Sequence, residues 1–295
     1  MKPKTKNLLE FGIINIDKPS GPTSFTISDF VKKALDLRKT SHFGTLDPKV
    51  TGVLPVALNR ACKLTGFFLG HDKEYVGIMR IHEDIELSKI KKAIEEKFLG
   101  KIKQTPPVKS RVKRQERERE IKTFELLEKN GKDILFKTKV QGGTYIRKLC
   151  DDLGKELGIG AHMLELRRIQ AGIFNEEDKV YPSVNLYDLE KAIRENKLDK
   201  IIIPAEEAIK KVFPSVEVKK DAVERILHGQ PIYDKDLKKR QEAKPLASLS
   251  KSQTKETFDK DSLIAVFSGE QFIGIFKVIN AIKIFAKSDF TLQPI

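Results

Sequence analysis

Asp47 lies in Gly44-Thr45-Leu46-Asp47-Pro48-Lys49-Val50-Thr51-Gly52-Val53-Leu54, a run that isolates one acid on a constrained loop. The following proline pushes the backbone of Asp47 toward extended conformations and fixes its own φ. Glycines at 44 and 52 permit tight turns or close backbone approach on either side. A carboxylate presented in this way can act as a nucleophile or base held in one geometry, although an Asp-Pro pair also starts ordinary turns. A second run is rich in cations. From Lys109 the odd positions read Lys109, Arg111, Lys113, Gln115, Arg117 and Arg119, and the even ones Ser110, Val112, Arg114, Glu116, Glu118 and Glu120. An extended ribbon has side-chain period two, so it would set a mostly basic edge against a mostly acidic one and could track phosphates with the basic edge. As a helix the same run is a solvated face of mixed charge.

The elements that must position these residues can be read from periodicity. Ile27, Phe30, Val31, Ala34 and Leu35 repeat at helical spacing after the cap candidates Pro22-Thr23-Ser24. Leu87, Ile90, Ile94 and Phe98 mark a second helix, closed by Gly100. The segment Ile134–Val140 alternates apolar with basic residues, as a half-buried strand does, and runs into the turn Gln141-Gly142-Gly143. Ile146, Leu149, Cys150, Leu153 and Leu157 form a helical stripe that ends at Gly158. Strands and helices mixed without strict βαβ alternation point to α+β. A break in composition near Val212-Phe213-Pro214 divides the chain into domains 1–213 and 214–295. The second carries a short helix from Asp221 to His228 stopped by Gly229, and strands Leu263–Phe267 and Phe272–Ile279 joined by Ser268-Gly269-Glu270. Lys235–Lys260, polar and charged, reads as a mobile loop. The whole tail reads as a small β-barrel.

The 295 residues suit two domains, and 39% hydrophobic content supports real cores. A net charge of +14 favours a polyanionic partner, unless it only mirrors a Lys-rich proteome. There is no bilayer-spanning apolar run and no signal-peptide core, so a cytoplasmic protein is expected. Cys62 and Cys150 have neither metal-ligand spacing nor disulfide density, and five scattered histidines offer no metal site.

Further segments surround the Asp47 loop in a fixed order. They are Gly12-Ile13-Ile14-Asn15-Ile16-Asp17-Lys18-Pro19-Ser20-Gly21-Pro22-Thr23-Ser24, Lys73-Glu74-Tyr75-Val76, Gln104-Thr105-Pro106-Pro107-Val108-Lys109-Ser110, Gly143-Thr144-Tyr145-Ile146-Arg147 and Gly160-Ala161-His162-Met163-Leu164-Glu165-Leu166-Arg167-Arg168. In order and spacing they resemble the TruB superfamily of RNA pseudouridine synthases, and most of all its dyskerin-type branch, which is guided by box H/ACA RNA. The likeness is specific from Gly12 to Phe174 and looser beyond. It implies a mixed-sheet catalytic core followed by a β-barrel PUA-like RNA-binding domain. The implied reaction breaks the C1′–N1 bond of uridine, turns the base and rejoins C1′ to C5, with no metal, redox or other cofactor.

By the same resemblance Asp47 is the catalytic aspartate, adding covalently or abstracting a sugar proton. Arg147 pairs with it, since an arginine stays charged and can grip both carboxylate oxygens. Tyr75 stacks on the target uracil, a contact of roughly 1–3 kcal/mol. His42, Tyr145, Leu166 and Lys18 fall among the substrate-binding residues, Leu166 packing on the base, His42 seating the flipped nucleotide and Lys18 supporting the active-site loop. Taken singly, Arg147 is a surface charge, Tyr75 a cross-strand residue, Leu166 core, His42 a loop histidine and Lys18 a surface lysine. Phe43 stands where the family usually has a small residue, so its ring can aid stacking or crowd the substrate, and Ser41 replaces a common glycine. Gln230 and Pro231 depart from the PUA pattern after His228-Gly229, and Phe276 interrupts a glycine-containing segment.

Lys109 takes the place of the tyrosine that follows the Pro-Pro motif in stand-alone bacterial enzymes, and a short basic passage replaces their longer substrate-gripping excursion. Lys109, Arg111, Lys113, Arg114 and Arg117 are the candidates for RNA-backbone contact. The pattern is dyskerin-like and implies action on ribosomal RNA with a guide RNA, a kink-turn-binding protein, a small zinc-ribbon protein and a glycine/arginine-rich-type subunit. Two rivals are a protein-only synthase for uridine 55 of transfer RNA and an inactive RNA-binding scaffold. Neither membrane nor DNA is an expected partner.

Overall fold

The computed structural model describes residues 3–106, 113–238, 258–281 and 284–292. By internal contacts the chain divides into Met1–Pro204 and Ala205–Ile295. The composition break at 212–214 lies at the far end of the first helix of the second unit.

Ten strands of the first unit form one mixed sheet: β1 (Gly12–Lys18), β2 (Thr40–His42), β3 (Thr51–Leu58), β4 (Lys73–Ile81), β5 (Gly100–Gln104), β6 (Arg117–Asn130), β7 (Asp133–Val140), β8 (Ala161–Ala171), β9 (Phe174–Asn175) and β10 (Ile202–Pro204). Their order is β10-β1-β3-β8-β4-β7-β6-β5, with β2 on β3 and β9 on β8. Helices α1 (Pro3–Glu10), α2 (Ser24–Ala34), α3 (Thr65–Leu69), α4 (Leu87–Lys97), α5 (Ile146–Glu156) and α6 (Leu186–Arg194) accompany it. The apolar stripes expected from the sequence face the core: Ile27 and Val31 of α2, Ile90 and Ile94 of α4, and Ile146, Leu149, Cys150 and Leu153 of α5 are buried. Thr23 caps α2 by accepting from Thr26 N–H at 3.0 Å. Gly158 lies at φ +71° just past α5, where a left-handed residue satisfies the last carbonyls of a helix.

The described strand pairs of this sheet are antiparallel except at one joint. There β3 runs parallel to β8, with Thr51 opposite Arg167 and Gly52 opposite Arg168. Gly52 also pairs with Lys18 of β1, so it lies between two strands whose facing residues are buried cations. Its φ is +99°, and a Cβ there would stand 2.2 Å from the carbonyl oxygen of Arg168. Only glycine fits both the angle and the approach.

The cation-rich run resolves toward the ribbon reading from Arg117 onward, where β6 begins opposite Gln104. Residues 113–116 have no regular structure. Two acids of the even positions pair across the hairpin, Glu116 with Lys103 and Glu118 with Lys101. Lys113, Arg114 and Arg117 are exposed, while Lys109 and Arg111 lie outside the described residues.

In the second unit, α7 (Ala205–Val212), β11 (Ser215–Glu217), α8 (Val223–Leu227), β12 (Ile232–Tyr233), β13 (Leu263–Ser268), β14 (Gln271–Ala281) and β15 (Ile284–Thr291) follow in order. The five strands run β11-β13-β14-β15-β12. A bridge between Val218 and Leu237 and the bonds Lys219 N–H to Asp236 O and Lys238 N–H to Glu217 O draw the two edges together, which gives the barrel character expected. The helix read at 221–228 is a 3₁₀ turn, Lys220–Ala222, continued by α8. Phe276, a departure in the sequence, is fully buried in the core with Val218, Ile226 and Phe285. Most of the polar stretch 235–260 lies outside the described residues. No described helix is long and apolar enough to cross a membrane.

The joint at Gly52 yields a prediction. Gly52→Ala should destabilise the first unit by about 2–4 kcal/mol, because positive φ and a backbone clash act together. Chemical denaturation checks this, and an unchanged midpoint would contradict it.

Candidate active site

Asp47 owes its presentation to its neighbours. Leu46 and Val50 are buried on either side of it and belong to the core, while Asp47, Pro48 and Lys49 are exposed. Val50 N–H donates to Asp47 O at 3.0 Å, closing a β-turn with Pro48 in the position that favours proline. The Asp-Pro pair is therefore a turn starter as well as a platform.

Three side chains lock this turn. Ser24 Oγ accepts from Leu46 N–H at 2.8 Å and donates to Leu46 O at 3.1 Å. Lys18, fully buried, donates from Nζ to Pro19 O at 2.9 Å and to Pro48 O and Val50 O at 2.8 Å each. Two of its three N–H bonds are thus used on the loop and the third on the adjoining Pro19. Burial pushes its ammonium below the usual lysine range, against the pull of Asp47. His42 reaches Ser28 Oγ from Nδ1 and Thr45 Oγ1 from Nε2, both at 3.1 Å, tying α2 to the loop. Burial first, and Arg168 second, lower its pKa and so favour the neutral ring.

Arg147, the second residue of α5, reaches Asp47 with Nη2 to Oδ2 at 2.5 Å. The side chains are 49% and 50% exposed. In the free chain such a pair contributes at most about 1 kcal/mol to stability. Its value is geometric: Ile146 is buried beside Arg147, and Tyr145, at the N-cap of α5, is clamped through its backbone by Gln104, which donates from Nε2 to Tyr145 O and accepts from Tyr145 N–H.

Tyr75 is 7% exposed on β4. Register places it beside Arg168, and Gly77 beside Leu166, on neighbouring β8. Tyr75 and Leu166 therefore share one face of the sheet and one core cluster. Arg168 is buried there, donating from Nε to Val53 O at 2.7 Å and from Nη2 to Gly44 O at 2.9 Å, and hydrogen-bonding Tyr75. Lys73, also buried, donates to Leu69 O at 3.2 Å and His71 O at 2.6 Å. Phe43 does not enter the site. It is 1% exposed and stacks on Phe68 at 4.9 Å with an 8° interplanar angle, beside Phe174.

Ser24, Lys73, Gln104 and Arg168 stand within the sequence motifs, but sequence reasoning gave none of them a part in the site. One signal was available for Arg168: alternation along β8 sets it on the same face as Leu166, where a cation is out of place unless it has work to do.

Residues 32–146 match the model of the TruB family pseudouridylate synthase N-terminal domain, and residues 147–210 that of the tRNA pseudouridylate synthase B C-terminal domain. A protein from Methanocaldococcus jannaschii named probable tRNA pseudouridine synthase B is 43% identical over 290 residues, covering 95% of this chain and 82% of the relative. The chain belongs to the TruB family of pseudouridine synthases. It is an RNA isomerase. A like-named protein of Methanococcus aeolicus is 48% identical over 233 residues, 77% of this chain and 69% of its own. Among solved structures, a chain of a Cbf5–Nop10–Gar1 complex superposes with a TM-score of 0.83 at 36% identity, covering 99% of this chain and 88% of the other. A chain of an H/ACA ribonucleoprotein bound to a substrate RNA containing 2′-deoxyuridine gives 0.82 at 33% identity, with the same coverage. The dyskerin-type likeness read from the motifs is thereby supported by fold.

Burial, helped by Arg168 and opposed by Asp72, lowers the Lys73 ammonium to about 8 from the ordinary 10.5. Between those values the unfolded chain holds a proton there that the folded chain lacks, so this group favours folding more as pH rises. The stability of the wild type relative to Lys73→Met should therefore climb between pH 8 and 10, by up to about 1.4 kcal/mol per pH unit. A difference flat with pH in denaturant titrations would contradict the assignment.

Proposed function

We propose that this enzyme isomerises uridine to pseudouridine in ribosomal RNA as the cytoplasmic catalytic subunit of a box H/ACA guide ribonucleoprotein. The observation that carries the reading is the likeness, along 99% of the chain, to chains of a Cbf5–Nop10–Gar1 complex and of a substrate-bound H/ACA ribonucleoprotein. The partners are then a guide RNA, its target strand, small proteins of the Nop10 and Gar1 kind and a kink-turn-binding protein. The C-terminal barrel serves as the PUA-like RNA-binding domain.

Asp47 is the catalytic carboxylate in this reading. Half exposed in the free chain, it is covered when RNA seats on the loop, and its Arg147 partner then keeps it charged and oriented as water leaves. Tyr75 and Leu166 form the surface that receives the detached base, and Tyr145 lines the same approach. Because His42 already bonds Ser28 and Thr45, it seats the nucleotide through the loop. The exposed Lys113, Arg114 and Arg117 contact phosphates, continued by Lys109 and Arg111.

A second reading, modification of transfer RNA without a guide, is favoured by the names of the archaeal relatives. The two part in one experiment: pseudouridine formation on bare transfer RNA and on a guide-complementary oligonucleotide, each with and without guide RNA and partner proteins. Conversion only in the assembled reaction is expected, and conversion of bare transfer RNA would move the enzyme to the stand-alone class.

Asp47→Ala should abolish product while RNA affinity stays within a few-fold, and a fully active variant would overturn the assignment. Replacing Lys113, Arg114 and Arg117 together should weaken RNA binding and flatten its log–log salt dependence by about 0.7–0.9 for each phosphate that is no longer neutralised. An unchanged slope would place these side chains away from RNA.

A further inference from the structure

Arg168 is among the largest fully buried side chains of the protein, and its partners are neutral oxygens: Val53 O on β3, Gly44 O on the loop before Asp47, and the hydroxyl of Tyr75 on β4. A guanidinium in such a place is costly compared with an apolar side chain of similar volume, and it crowds two other buried cations, Lys18 and Lys73, each of whose ammonium groups it disfavours. What it provides that an apolar residue cannot is a rigid planar fork with donors in fixed directions. That fork ties the loop and the strand that follows it, β3, to Tyr75 on β4. The loop is shaped to receive it: Gly44 lies at φ +111°, and a Cβ there would stand 3.3 Å from Nη1 of Arg168 and 3.5 Å from Cε of Lys73.

We infer that Arg168 is a positioning residue that couples Tyr75 to the Asp47 loop, fixing the separation between the surface that holds the uracil and the carboxylate that acts on its ribose. The inference rests on the roles proposed above for Asp47 and Tyr75. Pseudouridine synthesis makes this separation matter twice, since the base must leave C1′, turn, and return by a different atom without drifting from the sugar. A displacement of about 1 Å between reacting groups lowers the rate on the order of 100-fold. The pair of contacts on Gly44 O and Tyr75 restrains such a displacement directly, because both sides of the site bond to one rigid group.

The test is a cycle of Arg168→Lys, Tyr75→Phe and the double variant, read as kcat and KM on substrate RNA under the conditions that give wild-type turnover, with melting curves and Asp47→Asn in parallel. Lysine keeps the charge but loses the fork, and phenylalanine keeps the ring but loses the hydroxyl. Each single change should lower kcat by roughly 10–100-fold with KM within twofold, and the double variant should be no slower than the slower single. Wild-type kcat in Arg168→Lys, or losses that multiply in the double variant, would overturn the coupling. If Arg168→Lys fails to melt cooperatively, Tyr75→Phe decides alone: at least a tenfold fall in kcat at constant KM supports the coupling, and a wild-type kcat overturns it. An active Asp47→Asn would instead sink the reading of the site itself, whereas an inactive one beside multiplicative losses would remove only the coupling.

Discussion

Burial of the Arg168 guanidinium at the one parallel joint of the catalytic sheet is the interaction on which the site depends. The β3–β8 pairing brings Gly52 against Arg168, and the same side chain bonds Val53 in β3, Gly44 in the loop and Tyr75 in β4. An antiparallel neighbour there would place a different strand end beside the loop. The glycines follow from this joint: one admits the backbone of Arg168, and the other admits its side chain.

Three buried cations therefore surround a single exposed carboxylate turn. Lys18 is held by the carbonyls of Pro19, Pro48 and Val50, Lys73 by carbonyls at the end of α3, and Arg168 by those of the loop and β3. Carbonyl oxygens can satisfy these donors without neutralising their charge, so the field around the turn stays positive. Arg147 adds a fourth cation at the carboxylate itself. For an enzyme whose substrate is a polyanion, this arrangement serves both to draw the strand in and to keep the carboxylate oriented, while the wider excess of +14 acts at longer range.

Neighbours in sequence are sorted by strand alternation into different tasks. Arg167, next to Arg168, pairs with Asp17 and Glu176, while Arg168 serves the site. His42 turns to α2 and the loop, while Phe43 fills an aromatic cluster with Phe68 and Phe174. The bulky Phe43 is accommodated because its ring is buried in that aromatic cluster.

The sequence by itself determined the family, the α+β class, the main helices and the identity of the Asp47 turn, because these rest on local periodicity, caps and proline chemistry. It also marked Arg147 within a motif, and the fold brings it to Asp47 across a hundred residues. Only the tertiary structure decided which motif residues hold the site in shape. Lys18 reads as a surface lysine and is wholly buried; Arg168 and Gln104 carry no local signal of the carbonyls they reach. Most of their partners lie in loops, at a helix cap or on another strand, and packing of the whole sheet brings these together. Likewise β11, β12 and β15 were not legible, since short edge strands gain their identity from the neighbours that pair with them.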